Sequence, residues 1–581
     1  MIRAGLLFTV LLCCWSSIGA QPKPLVINAA IENVIKEIKE FSKSESRSDS
    51  IVGHPLGANK EDDFLRRYNF YDAIHTKLNQ VDRESLSFED RINLELLRYS
   101  VEDEISSYKF KAYYNPILSD EGFHTGLAEM GSEVLESKKD YDNYIKKLKD
   151  IPRFAEEQLS LMRSGLQLGI CQPKSILNGY GNTYDQHIVK DPEKSVFWKP
   201  FSKKPFAITD EDWKSITAEG KKAVMEYAVE AFKQIKLFFE TEYMPRTRTT
   251  IGVSNFPNGL EYYEDRVHHY TTTNLSSEEV YQIGLKEVAR IKAQMLEVMK
   301  QLKYSGSLKQ FINKLRSDPK FYVTSSEQLL KEAAYIAKKA DGQLPKFFSL
   351  LPRQPYGIEA VPAHLAPTYT AGRYAGAAIS SKRAANYWVN TYNLKSRPLY
   401  ALEALTLHEA VPGHHLQISL TKELDQLPEF RRNLYVNAFG EGWGLYAEFL
   451  GTEMGFYKDP YSLFGKLTYE MWRACRLVLD VAIHTKGWTR EQAVNYLSEN
   501  TALSLHEVNT EINRYISWPG QALAYKMGEL KIRELRKKAE DKLKDKFDIR
   551  EFHAIVLSQG TVTLTILEQM VDKYIDEKLK R

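Results

Sequence analysis

The stretch His408-Glu409-Ala410-Val411-Pro412-Gly413-His414-His415 decides how this chain is read. It follows an apolar, helix-favouring run, Leu399 to Leu407, and leads into another, Leu416 to Leu420. Imidazoles able to bind a metal stand beside a carboxylate able to move a proton, the residues that zinc hydrolysis needs. The common zinc-helix spacing places two histidines at i and i+4 on one face. Here position i+4 is Pro412, and the next histidines fall at i+6 and i+7. Residues six apart in a regular helix are rotated by about 600°, so their side chains diverge. Pro412 changes this, because it offers no N–H to the His408 carbonyl and its ring clashes with that carbonyl, which predicts a kinked or bulged helix. Gly413 then permits an unusual backbone, and His414 can swing towards His408. His415 is the competing choice, a further turn along the same face, and helix pitch favours His414. The plainer alternative is a Pro-kinked core helix with hydrogen-bonded histidines. It is weakened by three of the chain's 13 His falling in this one stretch.

Two histidines do not complete a catalytic site, since zinc there usually keeps three protein ligands and an open position. The best downstream donor lies in Phe439-Gly440-Glu441-Gly442-Trp443-Gly444-Leu445-Tyr446-Ala447-Glu448. Glu441 and Glu448 are i, i+7 on a largely apolar helix, about 10 Å apart along it, so one ion cannot take both. Small residues around Glu441 allow close approach, which makes Glu441 the expected third ligand. Glu448 is expected behind it, orienting an imidazole. Glu409 is the expected general base, taking a proton from water activated by the metal.

Further along, Glu470, Arg473, Asp480 and His484 form a polar stripe on an otherwise apolar helix. Such a stripe is either a buried network or an exposed face, and the apolar opposite face favours the network, with Asp480 and His484 supporting the ligands without binding the ion. Arg514 to Lys526 concentrates donors around Trp518-Pro519-Gly520. There Arg514 or Lys526 is placed to hold a substrate carboxylate, and Tyr525 or Tyr515 to donate to a tetrahedral oxyanion. A capped helix junction is the commoner explanation of that stretch. Asn390, at the end of a β-like run, completes the expected substrate-binding set.

Around this centre the chain predicts a mostly α fold with one small β-sheet beside the zinc helix. Amphipathic periodicity marks helices at Ile27 to Phe41, Phe88 to Ile105, Tyr141 to Leu166 and Asp212 to Thr241, with a loop over Pro173 to Phe206. Ser276 or Ser277 caps a helix running to about Leu302. Two β-like runs, Ile358 to Val361 and Asn386 to Thr391, flank the Gly-rich Ala371 to Ala378; such a strand either holds an extended substrate by edge pairing or belongs to an ordinary small sheet closing the core. Helices resume at Phe430 to Glu453, Tyr461 to His484, Thr489 to Asn500, Leu505 to Tyr515, Gln521 to Lys544 and Asp548 to Lys578. The expected organisation is a signal peptide over 1–20, a helical region over 21–250 forming one wall of a groove, and a zinc-binding region over 251–581.

With 43% hydrophobic and 27% charged residues, the chain has the composition of a soluble globular protein, and its net charge of +3 gives no argument for a nucleic-acid partner. Arg3, the apolar Ala4 to Trp15 and the small residues Ser16 to Ala20 read as a secretory signal, with an uncleaved anchor as the alternative. Trp15 argues against a lipid anchor at Cys13 or Cys14. The expected location is secreted, or periplasmic in a bacterium, with no membrane span after signal removal. Cys171 and Cys475 then remain, and the sequence leaves their pairing open. Asn274-Leu275-Ser276 is a glycosylation acceptor in a eukaryotic source.

Several blocks together resemble the large, chiefly bacterial family of domains of unknown function numbered 885. They are His269-Tyr270-Thr271-Thr272-Thr273, Leu351-Pro352-Arg353, Tyr392-Asn393-Leu394, Leu405 to Gln417, Glu441-Gly442-Trp443, Arg473 to His484 and Arg514 to Gly528. The family's His-Glu-x-x-Pro-Gly-His motif falls on His408, Glu409 and His414, which adds to the preference for His414. Gly444 stands where the family is expected to carry Ala, and Asn513 where it is expected to carry Asp. The order of parts is also similar to helical zinc peptidases of the thimet oligopeptidase and Taq-type carboxypeptidase kind, whose Gly-x-x-x-x-Tyr segment matches Gly520 and Tyr525. This resemblance implies a zinc metallopeptidase; a groove between helical halves would favour short peptides, and capture of a terminal carboxylate by Arg514 or Lys526 would make it an exopeptidase. A peptide-binding protein without turnover and a zinc amidase or esterase are the rival expectations.

Overall fold

The computed structural model describes residues 27–46 and 54–580, apart from 364, 368, 380 and 382; the signal segment expected over 1–20 lies outside the described residues. Helices dominate, and a three-stranded sheet interrupts them once. In the first half, α1 (Phe88–Lys109) starts at Ser87, whose hydroxyl accepts the Asp90 N–H. α2 (Lys138–Leu168) starts at a Ser137/Asp140 capping box and stops at Gly169, where φ is 75°. The helix expected from Asp212 is observed from Asp210 to Arg246, but two wide π turns, Val224–Val229 and Phe239–Tyr243, interrupt its α geometry. α3 (Gly259–Thr271) and α4 (Ser277–Gln301) follow, and Ser276 is the cap of α4, reciprocated by Glu279.

The β passage holds three strands where two were expected. The Gly-rich stretch between the two runs itself forms a strand, and a Cβ at Gly372 would lie 2.9 Å from the Trp388 carbonyl of its partner strand, so glycine there lets the two close together. β1 (Tyr356–Ala360) lies parallel to β3 (Ala385–Val389), and β2 (Gly372–Ala375) lies antiparallel on the other side of β3, with Tyr374 opposite Tyr387.

After the sheet come α5 (Leu402–Glu409), α6 (His414–Glu423), α7 (Asn437–Leu450), α8 (Pro460–Thr485), α9 (Leu505–Ser517) and α10 (Leu523–Leu543). The helix expected over Phe430 to Glu453 is divided. A short turn at Glu429–Asn433 gives way to extended Leu434 to Val436, held there by Thr561. The Thr561 hydroxyl accepts the Val436 N–H at 3.1 Å and donates to the Leu434 carbonyl at 2.7 Å. The last expected helix is also two, Ile549–Leu557 and Leu564–Lys580, with Gly560 (φ 71°) between them. α8 is buried from Phe464 to His484, so helices pack on it all round rather than on one stripe. Glycines set the closest approaches. A Cβ at Gly284 of α4 would lie 2.7 Å from Leu477 of α8, and one at Gly528 of α10 would lie 1.8 Å from the Ala438 carbonyl of α7. One hydrophobic cluster takes in Leu148 and Phe232 from the first half and Leu407, Trp443 and Leu479 from the second. Among the described residues no helix is long and apolar enough to cross a membrane.

Candidate metal centre

The histidine stretch is not one kinked helix. α5 ends at Glu409, Ala410 to Gly413 form a turn with a cis Val411–Pro412 bond, and α6 starts afresh at His414. The turn is tied down by the Trp443 indole N–H, which donates to the Pro412 carbonyl at 2.8 Å. At Gly413 a Cβ would fall 1.9 Å from the His408 carbonyl, so only glycine lets the chain double back this tightly. The His408 and His414 rings consequently face each other edge to face, centroids 4.7 Å apart. His415 turns away into a cage of Tyr356, Tyr374 and Ser419, with Nδ1 3.2 Å from the Ser419 hydroxyl.

Glu441 arrives on the first turns of α7. Its Oε2 lies 3.6 Å from His408 Nε2 and 3.4 Å from His414 Nε2, and the three donor atoms all fall within 4.8 Å of one another. These distances decide what the cluster can do. They are too long for good hydrogen bonds, which span about 2.7–3.2 Å. Ligands about 2.1 Å from a tetrahedral ion stand roughly 3.4 Å apart, which matches the observed spacing. The charges agree. Burial works against a protonated His408, yet the Glu441 and Glu448 carboxylates push it up to about 10. Burial likewise opposes ionised Glu441, but His414 and His408 hold it well below the usual carboxylate range. The carboxylates therefore favour a positive charge between the rings, and a divalent cation on the two Nε2 atoms and Oε2 would take the place of a proton there. These residues fit zinc, with its nitrogen and oxygen ligands.

The surroundings orient this set. Glu448 Oε1 lies 2.9 Å from His408 Nδ1, which leaves Nε2 free to face Glu441. Arg473 of α8 stands 3.3 Å from the same Glu448 oxygen, and the Tyr457 hydroxyl donates to the Glu448 carbonyl at 2.9 Å. Gly444 has a local reason, because a Cβ there would press to 2.5 Å from the His408 ring. Glu409 Oε2 accepts the backbone N–H of Tyr374 in β2 at 2.8 Å, which fixes one carboxylate oxygen. That N–H is thereby taken, so β2 cannot offer it to an extended substrate as edge pairing would require.

Other expected residues are elsewhere. Asp480 accepts from the Tyr263 hydroxyl at 2.6 Å and the Gly520 N–H at 2.9 Å, and burial pushes its carboxyl up to about 7. His484 Nδ1 accepts the Val253 N–H and its Nε2 meets the Tyr515 carbonyl at 2.9 Å; burial pushes the imidazole down to about 3. Both join α8 to its neighbours rather than supporting the ligands, and from their stripe only Arg473 reaches the centre. Lys526 is fully buried among Glu287, Glu470 and Glu529, 2.8–3.2 Å away, so it has no charge to offer a substrate. Asn390 is fully buried too, its amide donating to the carbonyls of Ala366, Tyr369 and Thr370. The Tyr515 hydroxyl accepts from Trp472 and Arg476 in the core. Arg514 donates through Nη2 to Gln521 at 2.9 Å and to the Tyr525 hydroxyl at 3.0 Å, so it supports Tyr525.

Tyr435 stands at the site although it was not among the expected residues. Its hydroxyl donates to Glu441 Oε1 at 3.3 Å, and burial, with Glu441 and Tyr525 nearby, pushes that hydroxyl well above its usual range. The available signal was Gly440, where a Cβ would meet the Tyr435 ring at 2.4 Å; Gly440 makes room for that ring. Cys171 and Cys475 are buried and unpaired.

The family profile described as "Bacterial protein of unknown function (DUF885)" matches residues 54–571. No curated protein matches the chain. Two solved structures resemble it closely in fold. One is of a protein described as a putative lipoprotein from Colwellia psychrerythraea, 26% identical, with a TM-score of 0.85, covering 94% of this chain and 97% of that one. The other, from Shewanella oneidensis and described in the same terms with unknown function, is 17% identical, with a TM-score of 0.68, covering 93% and 98%.

Proposed function

The chain belongs to the DUF885 family, and from that premise we propose that it is a zinc-dependent hydrolase cleaving short peptides. The spacing of His408 Nε2, His414 Nε2 and Glu441 Oε2 carries this reading, because it suits a shared ion and does not suit direct pairing. When bound, zinc supplies Lewis acidity to the scissile carbonyl and makes water a nucleophile at neutral pH. The chain's own residues do the rest. Glu409, one oxygen fixed by the Tyr374 N–H, has its other oxygen available to take the proton of the attacking water and pass it to the leaving amine. Tyr525 accepts from Arg514 and so keeps its own proton to donate where negative charge develops. Glu448 holds His408 Nδ1, which keeps the imidazole aimed at the centre. The lipoprotein description of both relatives, with the signal-like N-terminus, supports a cell-envelope or secreted location.

The test is Glu409→Gln, assayed by mass spectrometry of a mixed peptide library with metal content measured alongside. The variant should keep stoichiometric zinc and lose hydrolysis by about 10²–10⁴-fold. A wild-type protein that takes up no zinc, or a variant that cleaves as fast as wild type, would overturn the reading.

A further inference from the structure

We propose that Tyr435 is a positioning residue that keeps Glu441 a one-oxygen donor to the metal centre. The inference rests on the metal reading above and goes past it to a residue outside the motif. Glu441 divides its two oxygens: Oε2 faces both imidazoles, at 3.6 and 3.4 Å, while Oε1 takes a long hydrogen bond, 3.3 Å, from the Tyr435 hydroxyl, for which no other acceptor competes among the described residues. A carboxylate beside a divalent ion can bind through one oxygen or both. A proton donated to Oε1 opposes the rotation that would bring the second oxygen round, and so preserves the open position a catalytic zinc site requires.

Tyr435 is held for this task from independent directions. Its ring fills the space left by Gly440, where a Cβ would lie 2.4 Å from the ring. Its backbone is clamped on both sides by the Thr561 hydroxyl, through the Leu434 carbonyl and the Val436 N–H. That clamp keeps the segment extended, and α7 starts only at Asn437. Neither other candidate tyrosine is hydrogen-bonded to Glu441: Arg514 donates to Tyr525, and Trp472 and Arg476 donate to Tyr515.

The experiment uses the full chain with cobalt(II) in place of zinc, so that the visible spectrum reports coordination number. Tyr435→Phe removes only the hydroxyl. It should weaken the cobalt bands, as four-coordinate metal becomes five-coordinate, and shift metal affinity by about 10–100-fold. Tyr525→Phe should leave the spectrum unchanged. Thr561→Val, which releases the clamp, should move the spectrum as Tyr435→Phe does, while Thr561→Ser, which keeps both hydrogen bonds, should not. A Tyr435→Phe spectrum and affinity identical to wild type would overturn this inference and leave the metal centre standing. Failure of the wild-type protein to bind cobalt or zinc would overturn the metal centre, and this inference with it.

Discussion

Gly528→Ala puts the link between packing and chemistry at risk with a single methyl group. α10 crosses α7 at Gly528 and Gly442, and the new Cβ would sit 1.8 Å from the Ala438 carbonyl and 2.8 Å from the Gly442 Cα. Both are backbone atoms, so no side chain can rotate out of the way. Ordinary contact begins near 3.4 Å, so the helices must part by about 1.6 Å. α7 has nowhere to go. Gly442 and Gly444 are about 200° apart around it, and the Gly444 side already touches the His408 ring. Either α7 is driven into His408, or α10 moves outward and takes Tyr525 with it. Overpacking costs roughly 1–3 kcal/mol, and a backbone-on-backbone clash belongs at the upper end. Zinc affinity should fall by about 10–100-fold, as it does when the support of a ligand is lost. Thermal melts of apo and zinc-loaded protein, with chelator competition, measure both effects. A Gly528→Ala protein with unchanged melting and unchanged zinc affinity would refute the reasoning.

Three further outcomes are expected. Glu448→Ala strips His408 Nδ1 and Arg473 of their shared partner, and chelator competition should show zinc held about 10–100-fold more weakly; equal affinity would remove Glu448 from the site. His553 is buried and pushed down to about 3, while unfolded it titrates at its ordinary 6.5, so the folded chain binds fewer protons between those values. Its contribution is present above pH 6.5 and is lost as pH falls towards 3. The stability advantage of wild type over His553→Gln should therefore shrink by up to about 1.4 kcal/mol per pH unit below 6.5, read from urea midpoints, and a constant difference contradicts it. Burial pushes both Cys171 and Cys475 thiols up, so neither should react with a thiol reagent in buffer and both should react in urea; labelling of native protein would show that one is reachable.

The sequence carried the centre further than it carried the elements around it. That His408, His414, Glu441 and Glu448 come together in space was legible because one chemical requirement, converging donors, tied together residues that spacing alone leaves apart. Pro412 and Gly413 announced a break, though periodicity could not tell a kink from a full stop between α5 and α6. The extended segment at Leu434 to Val436 was illegible locally, since Thr561, more than a hundred residues later, holds it straight. Lys526, Asn390, Asp480 and His484 were misplaced for one reason. A polar side chain near a motif looks functional in one dimension, and only packing shows that its hydrogen bonds are already made within the core.

The break at Ala410 to Gly413 also changes what kind of device the histidine pair is. Two ligands on one continuous helix inherit their separation from the helical ladder and can hardly be adjusted. Here each histidine belongs to its own helix, and their separation is set by a four-residue joint anchored at the Trp443 indole. An ion held across that joint would act as a rivet between two otherwise separable rods. Metal loading should therefore register as slowed amide exchange in the first turn of α6, a place where an unbroken helix would have needed no reinforcement.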